Sequence, residues 1–167
     1  MQITVAMAFD EDGALRLLNW LAGENTRIIS RRPDLPLLYD SGIVYRREKR
    51  EKWCDYINAL AQGYEDCDGL SAIRAGELRA RGWRALRRGE PGYGAAQELR
   101  PRHIAAEVML TTRTKRGRRG LFHCITRYRI DGRWYRDDPS ARLGMVGGRI
   151  HPLVLRRWRR AGVVPRG

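Results

Sequence analysis

The dipeptide Asp131–Gly132 constrains this chain more than any other short stretch. It separates two runs rich in β-branched and aromatic residues, "LFHCITRYRI" and "RWYRDDP". Asp-Gly between two such runs specifies a β-hairpin with a two-residue turn. That turn fixes the register. Ile130 pairs with Arg133, Thr126 with Asp137, Ile125 with Asp138 and His123 with Ser140. Directly opposed residues share a face, and so do residues two apart along a strand. His123 and Asp138 are then diagonal neighbours on one face, while Asp137 points to the other. A slip of one residue would exchange the two aspartates.

Upstream, "AEVMLTTRT" alternates and reads as a further strand, joined to the hairpin through the basic turn "KRGRRG" at 115–120. The first half of the chain has helical spacing instead. After a short β-rich start, "QITVAMAF", Leu15, Leu18 and Leu21 recur on one stripe behind an acidic opening. "RRPDLPLLYDSG" reads as an extended connector. "REKREKWCDYINALAQG" reads as a second helix, with Trp53, Tyr56 and Leu60 on one face and Gly63 as its stop. A third helix is expected over about 66–81. Arg74, Glu77 and Arg81 share one of its faces, and Gly69, Ala72, Ala75 and Gly76 keep the rest small. Small side chains there suit a central helix against which other backbone packs closely. "RALRRGEPGYGAAQELRP" reads as a loop, and "IHPLVLRRWRRAGVVPRG" as a short basic helix and tail. Helices followed by an antiparallel meander argue an α+β fold, a central helix packed on an antiparallel sheet. One domain over 1–150 and a basic C-terminal tail over 151–167 are expected.

The 167 residues suffice for one core, and 43% are apolar, too many for a disordered chain. The formal charge is +14, carried mostly by Arg. Such a surface suits acidic partners, or is simply solvated. The basic segments 115–120 and 156–160 make nucleic acid an alternative partner, with Trp158 available for stacking. No run approaches the ~18 apolar residues of a membrane span. There is no phosphate-binding or dinucleotide fingerprint.

The three cysteines, Cys54, Cys67 and Cys124, form no disulfide framework and suggest a reducing compartment. With three scattered histidines they lack the short spacings of a zinc site, so neither metal nor organic cofactor is expected. Cys67 stands out. It opens the third helix between Asp66 and Asp68, where the helix dipole and a nearby imidazolium would favour thiolate. With His123 on a strand and Asp138 on the next, the chain has the parts of thiol acyl transfer: nucleophile, acid–base and orienting carboxylate. The backbone N–H of Cys67 would face a developing oxyanion. Asp66 and Asp68 work against thiolate, unless Asp66 is occupied as a helix cap. Taken singly, each residue has a plainer reading: Cys67 as a small core residue, Asp138 as a cap for the turn at Pro139. Cys54 and Cys124 read as core, Cys124 on the face opposite His123.

"EDCDGLSAIRAGELRARG" and "FHCITRYRIDGRWYRDDPSARLGM", with "LLYDSGIVYRRE" upstream, resemble the transglutaminase-like cysteine proteases of the papain-like fold. Within that superfamily the segments are similar to small phage-encoded members. The resemblance covers roughly 37–145. It implies Cys67 as nucleophile, His123 as base and Asp138 as orienter, acting on a peptide or carboxamide bond of a peptide or protein substrate. It also implies a phage role in virion assembly or protein processing, in the host cytoplasm or associated with the virion. Papain-like enzymes place a polar oxyanion donor before the nucleophile, and Gln62 is the nearest candidate. The superfamily also includes inactive relatives, so a catalytically silent assembly protein is the alternative.

Overall fold

A computed structural model describes residues 11–47, 52–112, 122–146 and 149–150. The expected N-terminal strand, the turn at 115–120, and the tail with Trp158 and His151 lie outside the described residues. The described chain is α+β: a three-stranded antiparallel sheet packs on a buried helix.

The chain enters through α1 (Glu11–Arg31), whose buried stripe is Leu18, Leu21, Ala22, Asn25 and Ile29. The connector expected to be extended instead holds a 3-10 turn at Leu38–Asp40, and a two-residue strand, β1 (Val44–Tyr45), follows it. The turn is held by Glu77, which accepts the Leu38 N–H at 2.8 Å, a partner too distant in sequence for local propensity to reveal.

The second helix, α2 (Tyr56–Gln62), is shorter than expected. Asp55 has extended backbone and caps it, accepting the Asn58 N–H at 2.9 Å, so Trp53 and Cys54 precede the helix. Asn25 on α1 accepts the Tyr56 N–H at 2.8 Å. Gly63 ends α2 with φ of 75°, the left-handed cap that its sequence position suggests. Next, β2 (Tyr64–Glu65) pairs in parallel with β1, and α3 (Cys67–Arg81) begins two residues later.

Helix α3 is the centre of the molecule, buried from Asp68 through Leu78. Leu70, Ile73 and Leu78 have no exposed surface, and burying each is worth roughly 1.5–3 kcal/mol. The small residues do the work expected of them. A Cβ on Gly76 would lie 2.6 Å from the Asn25 Cβ and 3.0 Å from the Ala22 oxygen, so α1 crosses directly over it.

Arg74 lies within this buried helix with no exposed side-chain surface. Its donors reach Glu77 at 2.7 Å, Glu90 at 2.5 Å, Asp137 at 2.8 Å and the Ala85 carbonyl at 2.8 Å. Tyr39 faces the guanidinium and donates to Asp137 at 2.7 Å. One cation thereby ties α3 to the loop at Glu90 and to the sheet.

That loop is not all loop. Residues Tyr93–Leu99 form α4, between left-handed residues Gly92 and Arg100. Glycines and a proline dominate the start of the segment, but "AAQEL" is made of good helix formers, and Ala96 is buried in the main core.

The sheet follows as β3 (Ala105–Thr112), β4 (Phe122–Ile130) and β5 (Arg133–Asp137), in that spatial order. Asp131 and Gly132 both have positive φ, 49° and 74°, as a type I′ turn requires. Ile130 pairs with Arg133 and Thr126 with Asp137, the register read from the turn. Asn19 on α1 brackets β3, accepting the Val108 N–H at 3.0 Å and donating to its carbonyl at 3.2 Å. After β5 come the one-turn α5 (Pro139–Arg142) and the small pair β6 (Met145–Val146) and β7 (Arg149–Ile150). Among the described residues no helix is long and apolar enough to cross a membrane.

Candidate active site

Three elements meet at the N-terminus of α3. Cys67 is its first residue, half-buried, directly after the cap Asp66. His123 is the second residue of β4 and 6% exposed. Asp138 follows the last residue of β5 and caps α5. The chain folds this way locally because Pro139 cannot extend the ladder and suits the first turn of a helix. β5 therefore stops where Asp138 can turn back toward β4.

His123 Nε2 and Asp138 Oδ2 are 2.8 Å apart. The other carboxylate oxygen, Oδ1, accepts the Ala141 N–H at 3.0 Å. Asp138 thus has both roles the sequence suggests, cap and histidine partner, one on each oxygen. Asp137 faces inward to Arg74 and also contacts Arg142 Nε at 2.9 Å, a charge contact rather than an aligned hydrogen bond. The turn register separates the two aspartates correctly.

The Cys67 sulfur lies in interaction range of the His123 ring and of Cys124, in the latter case of both the thiol and the backbone N–H. With Nε2 taken by Asp138, Nδ1 remains for the sulfur. The hairpin explains the contact with Cys124. A two-residue turn makes Ile130 and Arg133 a hydrogen-bonded pair, so even-numbered residues of β4 direct their N–H groups toward β5. β5 ends opposite Thr126. The Cys124 N–H therefore points into the place a longer β5 would fill, and the Cys67 sulfur occupies it. Strand alternation assigns Cys124 to the core, and it is buried there. Side-chain parity alone misses its second role. The parity of the backbone N–H groups, counted from Asp131–Gly132, would have found it.

These contacts set the charges. The hydrogen bond from Cys124 lowers the Cys67 thiol most; burial opposes it, and the hydrogen bond and charge of His123 add to the lowering, which brings it to about 5. Burial pulls His123 down, but the hydrogen bonds to Asp138 and Cys67, with their charges, outweigh it and raise the imidazole to about 9. Both shifts favour the thiolate–imidazolium form of the pair. Both flanking aspartates are engaged in the cap. Asp66 accepts the Asp68 N–H at 3.3 Å, and Asp68 accepts the Gly69 N–H at 3.0 Å and the Trp53 indole N–H. The ligand atoms of Asp66, Cys67 and Asp68 all lie within 4.8 Å of one another. Helix capping, Trp53 and His123 account for this cluster without a metal ion. Leu70 N–H bonds to the Asp66 carbonyl, so the Cys67 N–H lies ahead of the helical ladder at the N-terminal end of α3.

Gln62 belongs to a different group. Its amide donates to the Tyr64 carbonyl at 2.8 Å, to Glu65 at 3.3 Å and to the Cys54 sulfur at 3.4 Å. Cys54 in turn donates to the buried Glu65 carboxylate at 2.6 Å. As an oxyanion donor, Gln62 would have to give up these bonds. Cys54, expected on a helix in the core, instead lies half-buried ahead of α2 with its hydrogen on a carboxylate. His103 bonds to the Arg79 carbonyl, away from these groups.

Comparison with known proteins adds no relative: no family model matches the chain, and no curated protein or solved structure is significantly similar to it.

Proposed function

We propose that the chain is a thiol-dependent acyl-transfer enzyme of transglutaminase-like, papain-like type, with Cys67 as nucleophile, His123 as acid–base and Asp138 as orienting carboxylate. The observation that carries this reading is the His123 ring set between the Cys67 sulfur and Asp138, whose carboxylate lies 2.8 Å from Nε2. In the proposed reaction the thiolate attacks a peptide or carboxamide carbonyl and forms a C–S bond. The oxyanion takes the Cys67 N–H at the start of α3. The imidazolium gives its proton to the departing nitrogen as the C–N bond breaks, leaving a thioester. Water then attacks; His123 accepts its proton, and the acid and free thiol are released. Hydrolysis is favoured over transamidation because water is always present and no amine site is evident.

The resemblance to phage-encoded proteins supports a phage or host protein as substrate, in the host cytoplasm or the virion. The test uses p-nitrophenyl acetate as an acyl donor. We expect acetylation confined to Cys67, read by peptide mass, and turnover that His123→Ala slows strongly. Acetylation of all three cysteines at similar rates, or deacylation unchanged by His123→Ala, would refute the enzyme and favour an assembly protein that keeps the fold.

A further inference from the structure

We propose that Cys67 and Cys124 form a reversible peroxide-sensitive dithiol site, with Cys124 as the resolving thiol. One contact places the sulfurs together: the Cys67 sulfur meets the Cys124 thiol where α3 packs on β4. The end of β5 at Asp137 provides the gap through which α3 approaches β4 at this point.

A thiol held this way has the features of a redox sensor: thiolate character, partial exposure and a neighbouring second cysteine. The oxidant is hydrogen peroxide. The Cys67 thiolate attacks one peroxide oxygen, the O–O bond breaks, and the departing oxygen takes a proton from the His123 imidazolium. Cys67 is then a sulfenic acid. The Cys124 sulfur attacks the Cys67 sulfur, the S–O bond breaks, and water leaves with the Cys124 proton. Two thiols lose two electrons, one peroxide gains them, and two waters result. The disulfide removes the nucleophile, and a dithiol reductant restores it. Cys54 is a separate thiol, ahead of α2 and bonded to Glu65, and the test distinguishes it.

The site does not require the acyl-transfer reading, and its test has no substrate. The full chain is titrated with hydrogen peroxide, blocked with N-ethylmaleimide and digested with chymotrypsin without reduction. Cleavage after Tyr64, Leu70, Phe122 and Tyr128 places Cys67 in the 65–70 peptide, Cys124 in 123–128, and Cys54 in a separate fragment. We expect the 65–70 and 123–128 peptides to appear disulfide-linked. Free thiols should fall from three to one per chain and be recovered by dithiothreitol. In Cys124→Ser and Cys124→Ala, Cys67 should pass on to sulfinic acid and not be recovered. Three results would overturn the proposal: wild-type Cys67 reaching sulfinic acid with no cross-linked peptide, a disulfide to Cys54, or no peroxide loss of Cys67 thiol.

Discussion

Replacing Arg74 with methionine would remove the cation at the centre of the fold while nearly conserving volume. Three carboxylates depend on it. The side chains of Glu77, Glu90 and Asp137 are at most 1% exposed, and each bonds to a different guanidinium nitrogen. Some support survives: Leu38 N–H on Glu77, Tyr39 on Asp137, and Arg142 at 3.4 Å from Glu90. Removing one partner of a buried ion pair costs about 3–5 kcal/mol. That is a large share of the ~5–15 kcal/mol typical of a domain, and it corresponds to a fall in Tm of very roughly 6–20 °C at this chain length. The pH dependence adds a second, sharper test. Burial already raises the Glu77 carboxyl, with Arg74 the main opposing influence. Without Arg74 the folded-state value of Glu77 rises further above its unfolded one. Such groups contribute stability that is fully present below the unfolded value and is lost as pH rises through the folded one. The deficit of Arg74→Met should therefore narrow as pH falls from about 7 toward about 5 in urea titrations followed by circular dichroism. A deficit below about 1 kcal/mol, or one equal at both pH values, would refute this account of the core.

Three further outcomes follow from the same geometry. Gly76→Ala should destabilise by about 1–3 kcal/mol in the same titrations, because overpacking against α1 outweighs the ~1 kcal/mol helix gain of alanine. Asp138→Asn should leave stability within about 1 kcal/mol, since asparagine also caps α5, while losing the charge that raises His123 should slow iodoacetamide alkylation of Cys67 at about neutral pH. Asp137→Asn should do the reverse, losing ~2–4 kcal/mol by weakening the Arg74 cluster while the rate of Cys67 alkylation stays at the wild-type value.

The hairpin was the most legible part of the chain, because a two-residue turn leaves no freedom in register. From it came the separation of Asp138 from Asp137 and the approach of Asp138 to His123. The central helix was legible too, since Gly76 and its small neighbours announce a close crossing. The partners of Arg74 were not. Glu90 and Asp137 lie 16 and 63 residues away in sequence, and no local pattern links them. The start of α2 was misplaced because Trp53 fits the helical stripe, whereas the Asp55 cap decides the boundary. α4 was hidden by Gly89, Pro91 and Gly92, which precede it. Cys124 was half legible: its side chain belongs to the core as alternation requires, but the helix that meets its N–H comes from a part of the chain far upstream.

The central claim is that Cys67 and His123 form a thiolate–imidazolium pair, and titrating the Cys67 thiolate tests it most directly. The measurement is thiolate ultraviolet absorbance against pH, taken as the difference between the wild type and Cys67→Ser. The account predicts that the thiolate appears near pH 5 and that His123→Ala moves its appearance to higher pH. A wild-type Cys67 titrating near the ordinary thiol value of about 8.5, unmoved by His123→Ala, would contradict it.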